Sequence, residues 1–355
     1  MAFTNLVKRI NEKSIIDCMR DGKAHTKQEI AGLTGLSFPT VGKIVEELAG
    51  REMFLRLGTD TESPGGRKAE VYKLNPDFAH ILLLFLQGET VFYQFCDALG
   101  EVKDEGRKEG RPGQLPFALL QESTAAAMAA DEMIGAAAVG IPGSVHNGTV
   151  CCIDGYREME GRNIEAELSQ AAKIPVRVSN NMSLVAMGMA DRLEEKGGSL
   201  RSRGQEYGRA DGETLVCLHL ADTGPGMGAV VNGKPLQGFS GFQGEVGFMP
   251  LYGNRTVQEI ALDGFRQVSP GECLGKMTAC ICTVLNPEQV IWYLEQEYVG
   301  AAQELMQYCE RYLPEYAHPR FVFDRDYRAD YLHGLKRMGL ELLYGYTEEG
   351  DWSLQ

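Results

Sequence analysis

No CxxC pair occurs anywhere in this 355-residue sequence, and its nine cysteines, at 18, 96, 151, 152, 217, 273, 280, 282 and 309, form no regular framework. That spacing excludes a disulfide-stapled scaffold and predicts reduced, mostly buried thiols. Long apolar runs are missing as well. A membrane helix needs roughly 20 consecutive apolar residues, and the stretch 81–86 is typical of the longest here. The opening, MAFTNLVKRINEKS, has no signal-peptide core, which predicts a cytoplasmic chain without membrane association. Basic charge is scarce: 35 Lys/Arg stand against 49 Asp/Glu, for a net charge of −14. An acidic surface of that kind excludes indiscriminate nucleic-acid binding by the whole molecule.

What is present is a globular composition, 44% hydrophobic and 24% charged, in a chain long enough for two or three packing units. The charge is uneven. Residues 1–75 hold 12 Lys/Arg against 10 Asp/Glu, and the remainder holds 23 against 39. A head of slightly positive balance on an acidic body permits local DNA contact at the head only.

Within that head, Leu6, Ile10, Ile15, Ile16 and Met19 mark one face of a first helix. Thr26 and Glu29 have capping-box spacing for a second helix, which Gly35 breaks. Ser37 caps a third helix carrying Pro39 in its first turn and Val41, Ile44, Val45 and Leu48 on its apolar face. Two strands, 53–57 and 69–74, flank a polar loop. Three short helices and a two-stranded wing describe a winged helix-turn-helix, whose third helix enters the major groove of double-stranded DNA. Ser37, Thr40 and Lys43 would then face the bases or phosphates, and Arg67 and Lys68 on the wing would touch the backbone or the minor groove. The bland alternative is a helical interaction domain with merely solvated charges.

The body is organised around residues 214–251. A buried strand over 215–220 breaks at Thr223, Gly224, Gly226 and Gly228, where bare backbone N–H groups suit a polyanion. A second strand follows at 229–231, and Asn232 and Gly233 then form a two-residue hairpin turn. Strands at 81–86 and 90–96 repeat the strand, turn, strand pattern, as a duplicated two-lobed fold would. Further on, a strand at 176–178 delivers Asn180 and Asn181 to the start of a helix over 182–192, where α/β folds place ligands. Capping that helix is the plain alternative for both asparagines.

The glycine segment and the following GFSGFQGEVGFMP (238–250), with the VGIPG segment at 139–143 and the head's LTGLSFPTV (33–41) and Pro-Gly-Gly-Arg wing, resemble the ROK family of repressors and sugar kinases. The resemblance implies an α/β chain: a winged helix-turn-helix over 1–75, a first actin-like lobe over 76–190 and a second over 191–355, with a C-terminal helix returning to the first lobe. It also implies roles for single residues. Asn180 matches the sugar-binding asparagine of the kinases and Glu245 their sugar-contacting glutamate. Three positions depart from the kinase pattern: Phe85 stands at the phosphate-loop aspartate, Asn181 at the proton-accepting aspartate, and Phe248 at a histidine that is a zinc ligand in many members. An amide cannot accept a hydroxyl proton at neutral pH. The cysteine segment expected after that histidine is absent, so no zinc and no other cofactor is expected. The resulting expectation is a sequence-specific transcriptional regulator, a homodimer or dimer of dimers, with a kinase-dead body that binds a sugar or sugar derivative through Asn180, Asn181, Glu245 and Phe248. The alternatives are an active sugar kinase with a DNA-binding head and a regulator that has lost effector sensing.

Overall fold

The computed structural model describes residues 2–59, 69–153, 155–195, 214–221, 224–324 and 326–345. The head contains helices α1 (Ala2–Met19), α2 (Lys27–Thr34) and α3 (Phe38–Gly50). Local chemistry sets the boundaries. Thr26 accepts from the Glu29 N–H while the Glu29 carboxylate accepts from the Thr26 N–H at 2.7 Å, and Gly35 ends α2 with a left-handed φ of 69°. Ser37 caps α3, which turns Val41, Ile44, Val45 and Leu48 onto Ile15, Met19, Ile30 and Tyr72.

The wing differs from the expected strand pair. Strands β1 (His25–Thr26), β2 (Phe54–Thr59) and β3 (Glu70–Leu74) form a three-stranded antiparallel sheet in the order β1-β3-β2. His25 and Thr26 pair with Tyr72 and Val71, a two-residue strand too short to leave an alternation signal. Glu46 ties α3 to this sheet, since its carboxylate accepts from Lys27 and from the Tyr72 hydroxyl and pairs with Arg56. The Lys27 and Tyr72 bonds hold the Glu46 carboxyl below the usual carboxylate range.

The head is not hung on a loose tether. The Asn75 N–H donates to the Met53 carbonyl on the head side, and the Pro76 carbonyl accepts from the Ala98 N–H on the body side, both at 2.9 Å. Gly22 of the head lies against Leu99, so the core runs without a break from the head into the body.

In the body, β4 (His80–Gln87), β5 (Thr90–Cys96), β6 (Val102–Glu109), α4 (Pro116–Ala130), β7 (Ile134–Ile141), β8 (Ser144–His146), β9 (Thr149–Cys152), α5 (Ile164–Ala172), β10 (Val176–Asn180) and α6 (Asn181–Glu195) come first. Then follow β11 (Thr214–Ala221), β12 (Gly224–Val231), β13 (Lys234–Pro235), α7 (Val257–Leu262), α8 (Pro270–Leu285), β14 (Gln289–Tyr293), α9 (Ala302–Tyr312), β15 (Arg320–Asp324) and α10 (Tyr327–Leu343). Two five-stranded sheets share one topology. Read from one edge, they run β6-β5-β4-β7-β10 and β13-β12-β11-β14-β15, each an antiparallel meander followed by parallel strands. This is the duplicated, actin-like architecture.

Helices α6 and α10 join the lobes. They approach so closely that a Cβ on Gly188 would stand 1.9 Å from the Asp330 carbonyl oxygen, and one on Gly334 1.9 Å from that of Leu184. Only glycine permits that backbone contact. α10 also packs on β4 and β7 of the first sheet, with Tyr331 lying over Gly140. Just past its end, the Tyr344 hydroxyl donates to the Ala98 carbonyl beside the head. The 17-residue helix, about 25 Å long at 1.5 Å per residue, thus reaches from the lobe interface to the head–body junction.

Candidate effector cleft and DNA-facing surface

The candidate effector site starts at the end of β10. The Asn180 side-chain oxygen Oδ1 accepts from the N–H groups of Met182 (2.8 Å) and Ser183 (3.1 Å), and its side-chain amide Nδ2 donates to the Gly143 carbonyl at 2.9 Å. Asn180 is therefore a helix cap and a strap between two strand ends, with one amide hydrogen left over. Asn181 also accepts from the Met182 N–H and bonds the Tyr327 hydroxyl of α10.

From this junction a ring of close backbone contacts leads to Glu245. Met182 lies across β12 at Gly226 and Gly228, where a Cβ on Gly228 would fall 1.9 Å from the Met182 carbonyl oxygen. The Met227 N–H between them donates to the Gly244 carbonyl at 3.0 Å, and Gly244, with φ 87°, presses on the Met227 carbonyl in return. Gly241 abuts the Val145 carbonyl and the Cys151 thiol donates to the Ser240 carbonyl, so the loop over 238–244 bridges from the second lobe to β8 and β9 of the first. Gly143, bonded to Asn180, immediately precedes β8 and completes the ring. Glu245 is half-buried at the start of a 3₁₀ turn, Val246–Phe248. Phe248 is exposed and packs on exposed Phe242 with ring centroids 5.2 Å apart. Asn180, Asn181, Glu245 and Phe248 are thus carried by segments that meet along one interlobe seam.

The glycine segment needs correction. Gly226 and Gly228 are not loop residues offering N–H groups to a polyanion; they lie inside β12, which begins at Gly224, and pair with His219 and Cys217 of β11. Their lack of side chains lets α6 approach. Gly224, with φ 120°, closes the turn against Gln258. Thr223 lies outside the described residues.

The corresponding place in the first lobe is aromatic. Phe85 and Phe92, opposite each other in the β4–β5 hairpin, stack at 4.8 Å with an interplanar angle of 9°, and the Arg328 guanidinium from α10 sits over both rings. Behind them, Asp330 is fully buried, bonded to the Tyr293 hydroxyl at 2.7 Å and to Arg192 at 3.0 Å; burial raises its carboxyl above the usual range. His219 stacks on Tyr327 at 4.4 Å, and removal from water pulls its pKa down to about 4. Among the described residues, no group of three or more His, Cys, Asp or Glu is arranged to hold a metal.

On the head, Ser37 and Lys43 are exposed and Thr40 is half-buried, with the Ser37 and Thr40 hydroxyls 2.8 Å apart. Arg67 and Lys68 fall outside the described residues. Sequence periodicity missed Phe38, an apolar side chain left 53% exposed in the first turn of α3. Spacing gave no warning, since Phe38, seven residues before Val45, continues the edge of the apolar face and reads as core.

With this geometry in view, comparison with known proteins is decisive on one point. The ROK family profile matches residues 100–285. The chain belongs to the ROK family. The xylose repressor of Caldicellulosiruptor bescii is 25% identical to this ROK chain over 262 residues, 70% of the chain and 60% of that protein. The ROK chain therefore spans about 60% of the length of that curated relative. Among solved structures, a ROK family transcriptional regulator described as a homologue of the Escherichia coli MLC protein superposes with a TM-score of 0.72 at 16% identity, covering 96% of this chain and 98% of that one. A ROK family glucokinase from Streptomyces griseus, solved with glucose and AMPPNP, has a TM-score of 0.53 at 15% identity and covers 74% of this chain and 99% of its own. At such identities these structural likenesses speak for the fold: the two-lobed body is shared with kinases, and the fuller match, head included, is with the regulator.

Proposed function

We propose that this ROK protein is a sequence-specific DNA-binding transcriptional regulator, a repressor of carbohydrate-related genes, working as a homodimer or dimer of dimers. One observation carries the reading: a capped three-helix head with an antiparallel wing continues without a break into a body that has Phe85, stacked on Phe92 and Arg328, where a carboxylate would be needed to hold a metal. The similarity to a xylose repressor supports the same assignment. Ser37, Thr40, Lys43 and exposed Phe38 on α3 would meet the major groove, with Arg67 and Lys68 on the wing. The body would hold an uncharged sugar at Asn180, Asn181, Glu245 and Phe248 without phosphorylating it. Asn181 cannot act as general base, a role that contributes roughly 10²–10⁴ in rate, and no carboxylate stands at Phe85 to hold a magnesium ion.

The test selects bound duplexes from a random pool with the full chain, then titrates the winning sequence at fixed salt. Lys43→Ala is expected to weaken binding about tenfold or more, as for loss of a base contact of roughly 1–3 kcal/mol; equal affinity, or no enriched sequence, would refute the assignment. An ATP-coupled assay with pentoses, hexoses and amino sugars runs beside it, and turnover would establish the kinase reading instead. A second reading is favoured by the structural use of Asn180 as helix cap and strap to Gly143, namely a body that only assembles the heads. Calorimetry with the same uncharged sugars separates the two, because heat that disappears in Glu245→Ala requires an effector cleft.

A further inference from the structure

Outside the cleft, one concave site carries chemistry that neither the fold nor the proposed DNA binding uses. A cavity of about 230 Å³ opens over β4, β5 and β6, lined by Phe85, Phe92, Gln94, Glu105, Arg107 and Arg328. Every one of these except Arg328 comes from the first-lobe meander, and Arg328 comes from the first turn of α10. None belongs to the Asn180–Glu245 ring.

The state of Arg328 is informative. Its guanidinium lies 5.3 Å from the Phe85 centroid and 4.7 Å from that of Phe92, and among the described residues these ring contacts are its only interactions. An arginine stacked on aromatic rings keeps its N–H edge free and pre-oriented, with a planar fork that matches a phosphate or carboxylate. Arg107 adds a second guanidinium at the same wall, paired with Glu109 at 3.1 Å on the exposed side. Opposite charge is present in a measured amount. Glu105 is held by the Gln94 amide at 2.7 Å, which orients the carboxylate and leaves acceptor capacity for hydroxyl groups. Tyr93 lies across Gly106, where a Cβ would stand 2.4 Å from its hydroxyl.

We infer that this cavity binds a small polyol carrying a phosphate or carboxylate, a sugar phosphate or sugar acid. The anionic group would lie in the Arg328 fork with Arg107 alongside, and the hydroxyls would face Glu105 and Gln94. Arg107 is already paired with Glu109, so the Arg328 fork is the cationic group that meets the anion and makes it necessary for affinity. The carboxylate and amide favour a hydroxylated carrier over a bare anion. The site is separate in space and in charge preference from the cleft proposed for an uncharged sugar.

Calorimetry on the full chain with glucose 6-phosphate, gluconate, glucose and inorganic phosphate tests this. Saturable binding is expected for glucose 6-phosphate or gluconate, at least tenfold tighter than for glucose or inorganic phosphate, and weakened by added NaCl. The two anionic probes tell a phosphate from a carboxylate requirement. Arg328→Met, which keeps an apolar stem on the rings, is expected to lower the affinity at least tenfold; should that variant fail to fold, Arg328→Lys is expected to do so through loss of the fork. Glu105→Gln should weaken the polyol anion and leave inorganic phosphate unaffected, and Glu245→Ala should change neither. Absence of saturable heat with both anionic probes, affinity unchanged in a folded Arg328 variant, or binding lost in Glu245→Ala and kept in Arg328→Met would each overturn the assignment.

Discussion

Phe85 and His219 occupy the same place in two sheets of identical order. Each is the sixth residue of an eight-residue strand, and each pairs with the residue seven positions on, Phe92 in one lobe and Gly226 in the other. Both pack on the first turn of α10, Phe85 against Tyr331 and Arg328, His219 against Tyr327. The environments nevertheless diverge. The first lobe fills the space opposite with a second aromatic ring and closes it with a cation, whereas the second leaves it empty of side chain so that Met182 of α6 can lie across the strand. One topology has been closed by side-chain stacking on one side and by backbone approach on the other. The fold prescribes where the helix comes, and the residue types at two strand positions prescribe how near.

The largest effect that would break this contrast is expected from Phe85→Ala. Phe85 is 3% exposed, and the change removes a ring touching Phe92, Tyr331 and Arg328. Chemical denaturation should show a loss of about 3–5 kcal/mol. Gly228→Val attacks the other lobe. A Cβ 1.9 Å from the Met182 carbonyl oxygen forces α6 off β12, so a loss of about 3 kcal/mol is expected, with weaker amide-exchange protection at the start of α6.

His219 sharpens the comparison through pH. Its folded pKa of about 4 lies below the ordinary value of 6.5 because burial disfavours the charged ring. Between those values the unfolded chain binds a proton that the folded chain does not, so stability should fall as pH drops through the window 6.5 to 4 and level off below it. At about 1.4 kcal/mol per pH unit the loss over the window is on the order of 3 kcal/mol. His219→Phe should flatten this part of the stability curve relative to the native chain; parallel curves would contradict the burial of a neutral ring. The smallest effect is expected at the turn of the first lobe. Gly88 has φ 58° and no neighbouring atom within 4 Å of a built Cβ, so Gly88→Ala should cost only about 1 kcal/mol of left-handed strain. A loss as large as that of Gly228→Val would erase the distinction between the lobes.

Much of the head is legible in the chain because its signals are local. The Thr26 and Glu29 capping box, the Gly35 stop, the Ser37 cap and the four-residue apolar face of α3 each rest on residues within a turn of one another, and each takes the expected form. The Asn232 and Gly233 turn is equally local, with φ values of 54° and 73°. The two-residue strand β1 escaped because it exists only through pairing with β3, some 45 residues on. Gly226 and Gly228 misled for the same kind of reason. In sequence they are glycines beside a strand, and glycine is equally at home in a phosphate loop and under a crossing helix.

Composition and local pattern determine, by themselves, a chain with an acidic body and a slightly basic head, the caps and stops of the first three helices, and the repeat of strand, turn and strand in each lobe; the departures at Phe85, Asn181 and Phe248 show only against the family resemblance. These follow from chemistry that acts over a few residues: orphaned N–H groups, positive φ, alternation and charge. Tertiary structure alone decided that Gly228 serves α6, that Asn180 straps β10 to Gly143, and that Arg328 lies free over two stacked rings from the opposite side of the sequence. Each of these depends on which segments the lobes bring within 4 Å. That is a consequence of the packing of α6 and α10 between two sheets, and no spacing along the chain encodes it.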